Sequence, residues 1–423
     1  MQKKIALKLN RYLYYGWYIL ILSSISTFFS SPGQTYSISV FIDSYIAEFN
    51  YSRTLISSIY SIATVLSGIL MIFVGKAVDR FGPRFMLVFT GIMLAFTCFF
   101  NSFIFNIPMI FIGFFLLRFF GQGSLTLIPG SLVPQWFDKR KAFAISLLTM
   151  GTIIGNMFVP AINHFIIGKY SWVTAWRSWG LLLLIGFVPL MWFFIINKPE
   201  DIHLLPDNKP KEDDHSDDEE LQQLARTSFN LAEALRTKEF WFLGIISMII
   251  PMISTGMMFH FFSLMATKHI AETATAYIIG LVALPGFLIP LIAGVIIDRY
   301  RSKHILFAML GIIMIDLLFM LTVNSILEAS IFILVYGLAT NIQNVTTSVI
   351  WVKYFGRLHL GSIRGAATVF TVVGSAFGTI PFGLSYDLTG GYSAVFIAMS
   401  VAAMLGMIMT LSIRKPIKAD LLG

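Results

Sequence analysis

The chain has 423 residues, 57% of them hydrophobic and only 12% charged, with a formal net charge of +8. A soluble domain carries about 25% charged residues, and surface-to-volume scaling leaves no soluble core able to hide so much apolar side chain, 40 Phe among it. A soluble fold is excluded. Because the basic residues sit between apolar runs, the positive excess reads as orientation in a membrane and not as a nucleic-acid footprint. A single cysteine, Cys98, rules out an intrachain disulfide and a thiolate metal cluster.

In chain order, Lys3, Lys4, Lys8 and Arg11 precede the first apolar run, Gly16 to Phe41. That run is long enough to span and has no small-residue cleavage site, so it reads as an uncleaved first helix. Eleven further runs begin near residues 54, 84, 108, 142, 176, 239, 273, 304, 328, 361 and 391. Continuous runs of roughly 20 apolar residues predict helices, since barrel strands would alternate over about ten. With the amino terminus in the cytoplasm, 25 of the 30 basic residues fall in cytoplasmic segments. Arg53, Lys169, Arg177 and Lys268 fall outside, and Arg118 falls within a span. The bias is self-consistent and returns the carboxyl terminus to the cytoplasm.

Between the second and third runs lies GKAVDRFGPR, Gly75 to Arg84, and a weaker copy, GVIIDRYRSK, begins at Gly294. Asp79 and Asp298 stand 219 positions apart, as do Arg80 and Arg299. QWFDKR and KYFGR match at an offset of 218, Phe137 to Phe355. Two matches at nearly one offset indicate an internal duplication. The long segment Asn197 to Lys238 carries ten acidic residues between Glu200 and Glu220 and reads as a solvated linker between halves. Its end, Ser228 to Arg236, has the pattern of a short amphipathic helix. The expected architecture is an all-α membrane protein of 12 transmembrane helices in two six-helix pseudo-repeats: 1–196, a cytoplasmic acidic linker 197–238, and 239–423.

Parallel six-helix repeats around a central cytoplasmic loop mark many secondary transporters. GKAVDRFGPR resembles the loop motif of the major facilitator superfamily, GVIIDRYRSK its degenerate second copy, and RFFGQGS, from Arg118, the same family's fourth-helix motif. The resemblance covers the whole chain. It assigns Gly75, Asp79, Arg80, Arg84, Asp298 and Arg299 to a gate. Gly75 is expected to let a neighbouring helix approach, Asp79 to face a helix N-terminus, and Arg80 or Arg84 to find a carboxylate or carbonyl.

Polar residues inside spans are the substrate and coupling candidates. Arg118 lies about 15 Å into the fourth span; it would bind an anionic substrate, pair with a carboxylate, couple protons or act as a structural hub. Its repeat counterpart is Tyr336. Asp316 is a carboxylate deep in the ninth span, suited to protonation or to structural pairing. Cavity-lining helices in the resembled family add Gln34, Asn156, His260, Asn341 and Asn344. Tyr36 falls in the same region as Gln34. His260, beside Phe259 and Phe261, would carry a proton or simply pack.

SSPGQTYSISVFIDSY, SRTLISSIYSIAT, KPEDIHLLPD and YFGRLHLGSIRG are similar to the bacterial monocarboxylate-transporter-like branch that includes oxalate/formate antiporters. The resemblance implies symport of a small organic anion, a monocarboxylate, with protons. The chain departs from the branch where Gln34 stands near a lysine position and the eighth span is uncharged. That leaves open a neutral or amphipathic solute, drug-like or siderophore-like, or a non-transporting sensor. No HExxH, Ser/His/Asp set or Walker loop is present, so neither an enzyme nor ATP-driven transport is expected. The remaining expectations are no cofactor or metal, a small-molecule substrate with lipid bilayer and protons as partners, no nucleic acid, and a cell-membrane location with both termini cytoplasmic.

Overall fold

The computed structural model describes residues 2–137, 140–208, 229–287, 289, 300–356 and 360–416. Asp298 and Arg299, the acidic run after residue 208 and the side chain of Asp79 lie outside the described residues.

Among the described residues the regular elements are helices, with no strand. In chain order they are α1 (Gln2–Asn10), α2 (Tyr15–Phe29), α3 (Thr35–Phe49), α4 (Arg53–Phe81), α5 (Pro83–Asn101), α6 (Ile107–Leu116), α7 (Leu125–Trp136), α8 (Lys141–Leu148), α9 (Met150–Lys169), α10 (Trp172–Leu182) and α11 (Val188–Phe194). Then follow α12 (Leu231–Leu235), α13 (Lys238–Phe259), α14 (Phe261–Thr267), α15 (Glu272–Leu281), α16 (Ser302–Met320), α17 (Ile326–Phe355), α18 (Leu360–Phe377), α19 (Thr379–Thr389) and α20 (Ser393–Ser412). Helices satisfy their own backbone in lipid, and short polar caps take the first orphan N–H groups. Ser52 accepts from Leu55 N, Asn106 from Met109 N, Ser171 from Thr174 N and Thr237 from Phe240 N.

Ten helices among the described residues are long and apolar enough to cross a membrane. The first expected span is absent from that set for a local reason, a Pro-Gly pair, and the eighth continues beyond residue 287 outside the described residues. In the first, α2 ends at Phe29, a 3₁₀ turn occupies Ser31–Gly33, and α3 restarts at Thr35. Pro32 cannot donate to the ladder and favours such a break. In the eighth, an apolar helical stretch covers Glu272–Phe287 with turn geometry at 282–284, just before Pro285-Gly286.

The GKAVDRFGPR stretch is less of a loop than its glycines suggest. Helix α4 continues through Gly75, Lys76 and Arg80 to Phe81. Only Gly82, at φ +84°, makes the turn, and Pro83 opens α5. That φ favours glycine, and proline suits the first helical position. A Cβ on Gly75 would meet nothing within 4 Å among the described residues.

The chain divides into two compact units. Unit 1 comprises Met1–Lys211 with Phe261–Ser263 and Ala271–Ala283, and unit 2 the rest. In unit 1, α2 packs on α7 and α9, α5 on α10, and α15 on α9. Trp176 is fully buried, stacks on Phe41 at 4.1 Å and donates to the Tyr45 hydroxyl at 2.8 Å. The described start of the expected linker belongs to this unit. Ile202 is buried, and Tyr14 donates its hydroxyl proton toward Trp136 O at 2.8 Å and Leu205 O at 3.1 Å. Burial, then the Asp207 charge, pushes the Tyr14 hydroxyl well above its ordinary pKa, so it stays a donor. In unit 2, α16 packs on α17 and α20, and α13 on α18. The amphipathic stretch before α13 is helical at Leu231–Leu235, started by a reciprocal Asn230–Glu233 capping box.

Candidate functional site

The break in the first span and the fourth-helix motif meet. Between α6 and α7 the chain is π-helical over Leu117–Ser124, a widening often found at functional sites. The 3₁₀ turn sits directly against it. A Cβ on Gly33 would fall 2.1 Å from Leu117 O and 2.6 Å from Gln122 N, and one on Gly121 would fall 2.8 Å from Gly33 Cα. Two glycines, one from each motif, therefore permit a backbone-to-backbone contact that any side chain would block.

Arg118 closes this contact. It is 3% exposed. Its Nη1 donates to Gly33 O at 3.3 Å and Thr35 Oγ1 at 3.4 Å, and its guanidinium lies 5.1 Å from the Tyr60 ring centroid. Thr35 Oγ1 and the Tyr60 hydroxyl are 2.8 Å apart. The Gly33 carbonyl lies at the helix break, where intrahelical bonding is interrupted, and a charged donor there is a strong partner. Arg118 Nε has no hydrogen-bond partner, and no carboxylate pairs with Arg118, among the described residues.

Other sequence candidates gather around the same break. Gln34 caps α3 and donates Nε2 to Ser30 Oγ at 2.9 Å. The Tyr36 hydroxyl lies 2.9 Å from Ser31 Oγ, and Gly155 of α9 packs beneath that pair. Asn156, the next residue, holds a buried Oδ1 with no hydrogen-bond partner among the described residues. Along the amino-terminal side of the break runs a cavity of about 640 Å³ between α2 and α8–α9. Trp17, Ile21, Phe28, Leu147 and Ile154 line it, with Ser24 the polar contributor.

His260 marks the joint between α13 and α14. Its Nε2 is 3.1 Å from Thr379 O, and its ring stacks on Phe382 at 6.3 Å beside Phe259 and Tyr392. Asp316 is 4% exposed, and its Oδ2 lacks a hydrogen-bond partner among the described residues. Tyr336, the repeat counterpart of Arg118, is 2.6 Å from Ser254 Oγ. Asn341 donates to Gly337 O one turn back in its own helix at 2.7 Å, and Asn344 is exposed.

At the expected gate, Arg84 Nε donates to Trp192 O at 3.1 Å and the guanidinium lies 4.7 Å from the Trp192 ring centroid. Asn197 Oδ1 accepts from Arg84 N. This joins the start of α5 to the end of α11 within unit 1. Arg80 lies 5.3 Å from the Phe81 ring centroid.

One buried polar hub was not singled out by the sequence. Asn163 of α9 is fully buried, donates to Ser37 Oγ at 2.9 Å and accepts from Trp179 Nε1 at 2.8 Å. It ties α3, α9 and α10 together. The available signal was an amide in an apolar run six residues before Lys169, which pattern alone does not separate from a surface amide.

The chain matches the Major Facilitator Superfamily pattern over residues 23–379 and belongs to that superfamily. It is 25% identical over 170 residues to monocarboxylate transporter 14 of Mus musculus, covering 40% of this chain and 33% of that protein. It is 24% identical over 176 residues to monocarboxylate transporter 9 of Gallus gallus, covering 42% and 33%. A stretch of 99 residues is 32% identical to the citrinin biosynthesis cluster MFS transporter mrr1 of Monascus ruber, covering 23% and 19%. The matched stretches span a third or less of these relatives' lengths. Among solved structures, the nucleoside transporter NupG superposes with a TM-score of 0.71 at 13% identity, covering 93% of this chain and 98% of that one. A bacterial homologue of the human lysosomal transporter Spinster gives 0.67 at 12%, covering 94% of each. At these identities the likeness shows the fold.

Proposed function

We propose that this multi-pass membrane protein is a secondary active transporter that moves a small organic anion, a monocarboxylate, across the cell membrane by alternating access. One observation carries the substrate class: Arg118 is a buried cation with no carboxylate partner and an unused Nε–H among the described residues. A charge buried in a span calls for an opposite charge or a water-filled cavity. A substrate carboxylate supplies that charge and accepts from the remaining guanidinium donors in a fork geometry that lysine cannot match. Gln34, Tyr36 and Asn156, grouped at the same helix break, orient the bound anion. The relatives named as monocarboxylate transporters support the reading.

Asp316 is the proposed proton carrier, because a buried carboxylate with an oxygen unpartnered among the described residues changes its interactions on protonation. The His260 ring acts mainly in packing. Gly75, Asp79, Arg80 and Arg84 bias the two access states, which need differ by only a few kcal/mol, in concert with Asp298 and Arg299. The basic bias, 25 of 30 residues in segments expected to be cytoplasmic, supports a cytoplasmic location for both termini.

A second reading, an amphipathic solute, is favoured by the apolar 640 Å³ cavity beside the break and by the fungal biosynthetic-cluster relative. Proteoliposome uptake decides between them. The panel is formate, oxalate, lactate, pyruvate and longer monocarboxylates with neutral amphipathic solutes, each with and without an inward proton gradient. Gradient-stimulated monocarboxylate uptake is expected. Uptake of neutral amphipathic solutes alone contradicts the anion reading.

A further inference from the structure

A second cavity, of about 670 Å³, belongs to unit 2. Five cations from three segments line it: Arg301 and Lys303 at the start of α16, Lys353 at the end of α17, and Arg414 and Lys415 after α20. None of its described lining residues is acidic.

Two features separate this place from an ordinary membrane-orienting cluster. First, Arg301 is the N-cap of a 19-residue helix, with Lys303 in its first turn and no acidic residue there. Cations are disfavoured at the positive end of a helix, and Ser, Thr, Asp or Asn normally caps it. An anion seated at this end would offset both the helix dipole and the gathered cations. Second, Ser302 lines the same cavity at 4% exposure, and its Oγ has no hydrogen-bond partner among the described residues. A buried hydroxyl without a partner calls for a ligand that accepts from it. Helix N-terminal N–H groups, arginine forks, lysine charges and a serine hydroxyl are together the donor set that binds a phosphate group.

We propose that this cavity binds a phosphate-bearing anion at the membrane surface. Its volume exceeds that of a bare phosphate and lies in the range of small-molecule sites, so the phosphate arrives attached to a body. Two sources present that chemistry: a phosphomonoester lipid headgroup and a soluble phosphorylated molecule. Basic pockets at the ends of membrane helices hold anionic headgroups elsewhere. The proposal rests on unit 2 alone and stands whether or not Arg118 binds a transported anion.

The test uses the full chain, purified in a neutral detergent, with its unfolding midpoint followed by tryptophan fluorescence at constant ionic strength. A ligand that binds only the folded state raises the midpoint in proportion to its saturation. One arm titrates dioctanoyl phosphatidic acid against dioctanoyl phosphatidylcholine; the other titrates inorganic pyrophosphate against sodium chloride. A saturable rise is expected with phosphatidic acid. A rise with that lipid alone assigns a headgroup, and a rise with pyrophosphate as well assigns a soluble phosphorylated ligand. The R301Q/R414Q variant is expected to weaken the apparent affinity about 25-fold, roughly five-fold per basic residue. K415Q alone should weaken it about five-fold and serves if the double variant does not fold. K3Q/K8Q, in α1 of unit 1, should leave it unchanged. No rise with either probe overturns the proposal, as does an equal rise in R301Q/R414Q or K415Q.

Discussion

Replacing Gly33 by alanine is the sharpest structural perturbation available. The new Cβ would sit 2.1 Å from Leu117 O, 2.6 Å from Gln122 N and 2.8 Å from Gly121 Cα. Ordinary contact begins near 3.4 Å, so the turn and the π-helical segment must separate by about 1 Å. All three neighbours are backbone and cannot swing aside. Overpacking of this kind costs about 1–3 kcal/mol. At about 2–4 °C per kcal/mol for a unit of this size, the unfolding midpoint of G33A should fall by roughly 2–12 °C. The shift also draws Gly33 O away from Arg118 Nη1, now 3.3 Å apart, so solute flux should fall along with stability. The matched control is G130A, where a Cβ would meet nothing within 4 Å and no loss is expected. The assay is thermal unfolding of the two purified variants beside the parent, followed by uptake into proteoliposomes. A G33A protein as stable and active as G130A would refute the close contact between the first-span break and the fourth-helix motif.

Asn163→Leu leaves the buried Trp179 N–H and the Ser37 hydroxyl without their partner; a stability loss of about 1–3 kcal/mol follows, readable by thermal unfolding. Ser37→Ala should cost less, because Asn163 then keeps Trp179. For Arg84, lysine cannot reproduce both the stack on Trp192 and the bond to its carbonyl. R84K should thus lose about 0.5–1 kcal/mol and R84Q at least as much, and equal midpoints for all three proteins would count against the clasp. The His164–Glu272 pair is long at 3.7 Å and Glu272 is 70% exposed, so E272Q should leave stability within about 0.5 kcal/mol at neutral pH.

Helical class and the positions of ten spans among the described residues were legible because lipid enforces long apolar runs, and a charge such as Arg118 within one is conspicuous. The first span was legible as an apolar run, but its division into α2, a 3₁₀ turn and α3 depended on what the SSPGQ stretch touches. Gly33 and Gly121 are 88 positions apart, and nothing local in either motif announces the other. GKAVDRFGPR read as a loop because its charges and glycines resemble one. Yet Lys, Arg and Asp are tolerated in a helix that has left the hydrocarbon, and a single positive-φ glycine is enough to turn the chain. Asn163 went unnoticed since an amide that links helices looks, by pattern, like one facing outward. Asn341 drew attention because its helix lines the cavity in the resembled family, and its amide is used by its own helix.

The central claim is that the buried Arg118 guanidinium anchors a carboxylate. The direct measurement is pyruvate and lactate counterflow in proteoliposomes carrying the parent chain, R118K or R118Q, each matched for folded protein by its unfolding profile. The account predicts saturable counterflow for the parent, a raised half-saturation concentration for R118K, where charge survives but the fork is lost, and abolition in R118Q with the fold intact. Undiminished carboxylate counterflow by folded R118Q would contradict it and leave Arg118 as the brace of the first-span break alone.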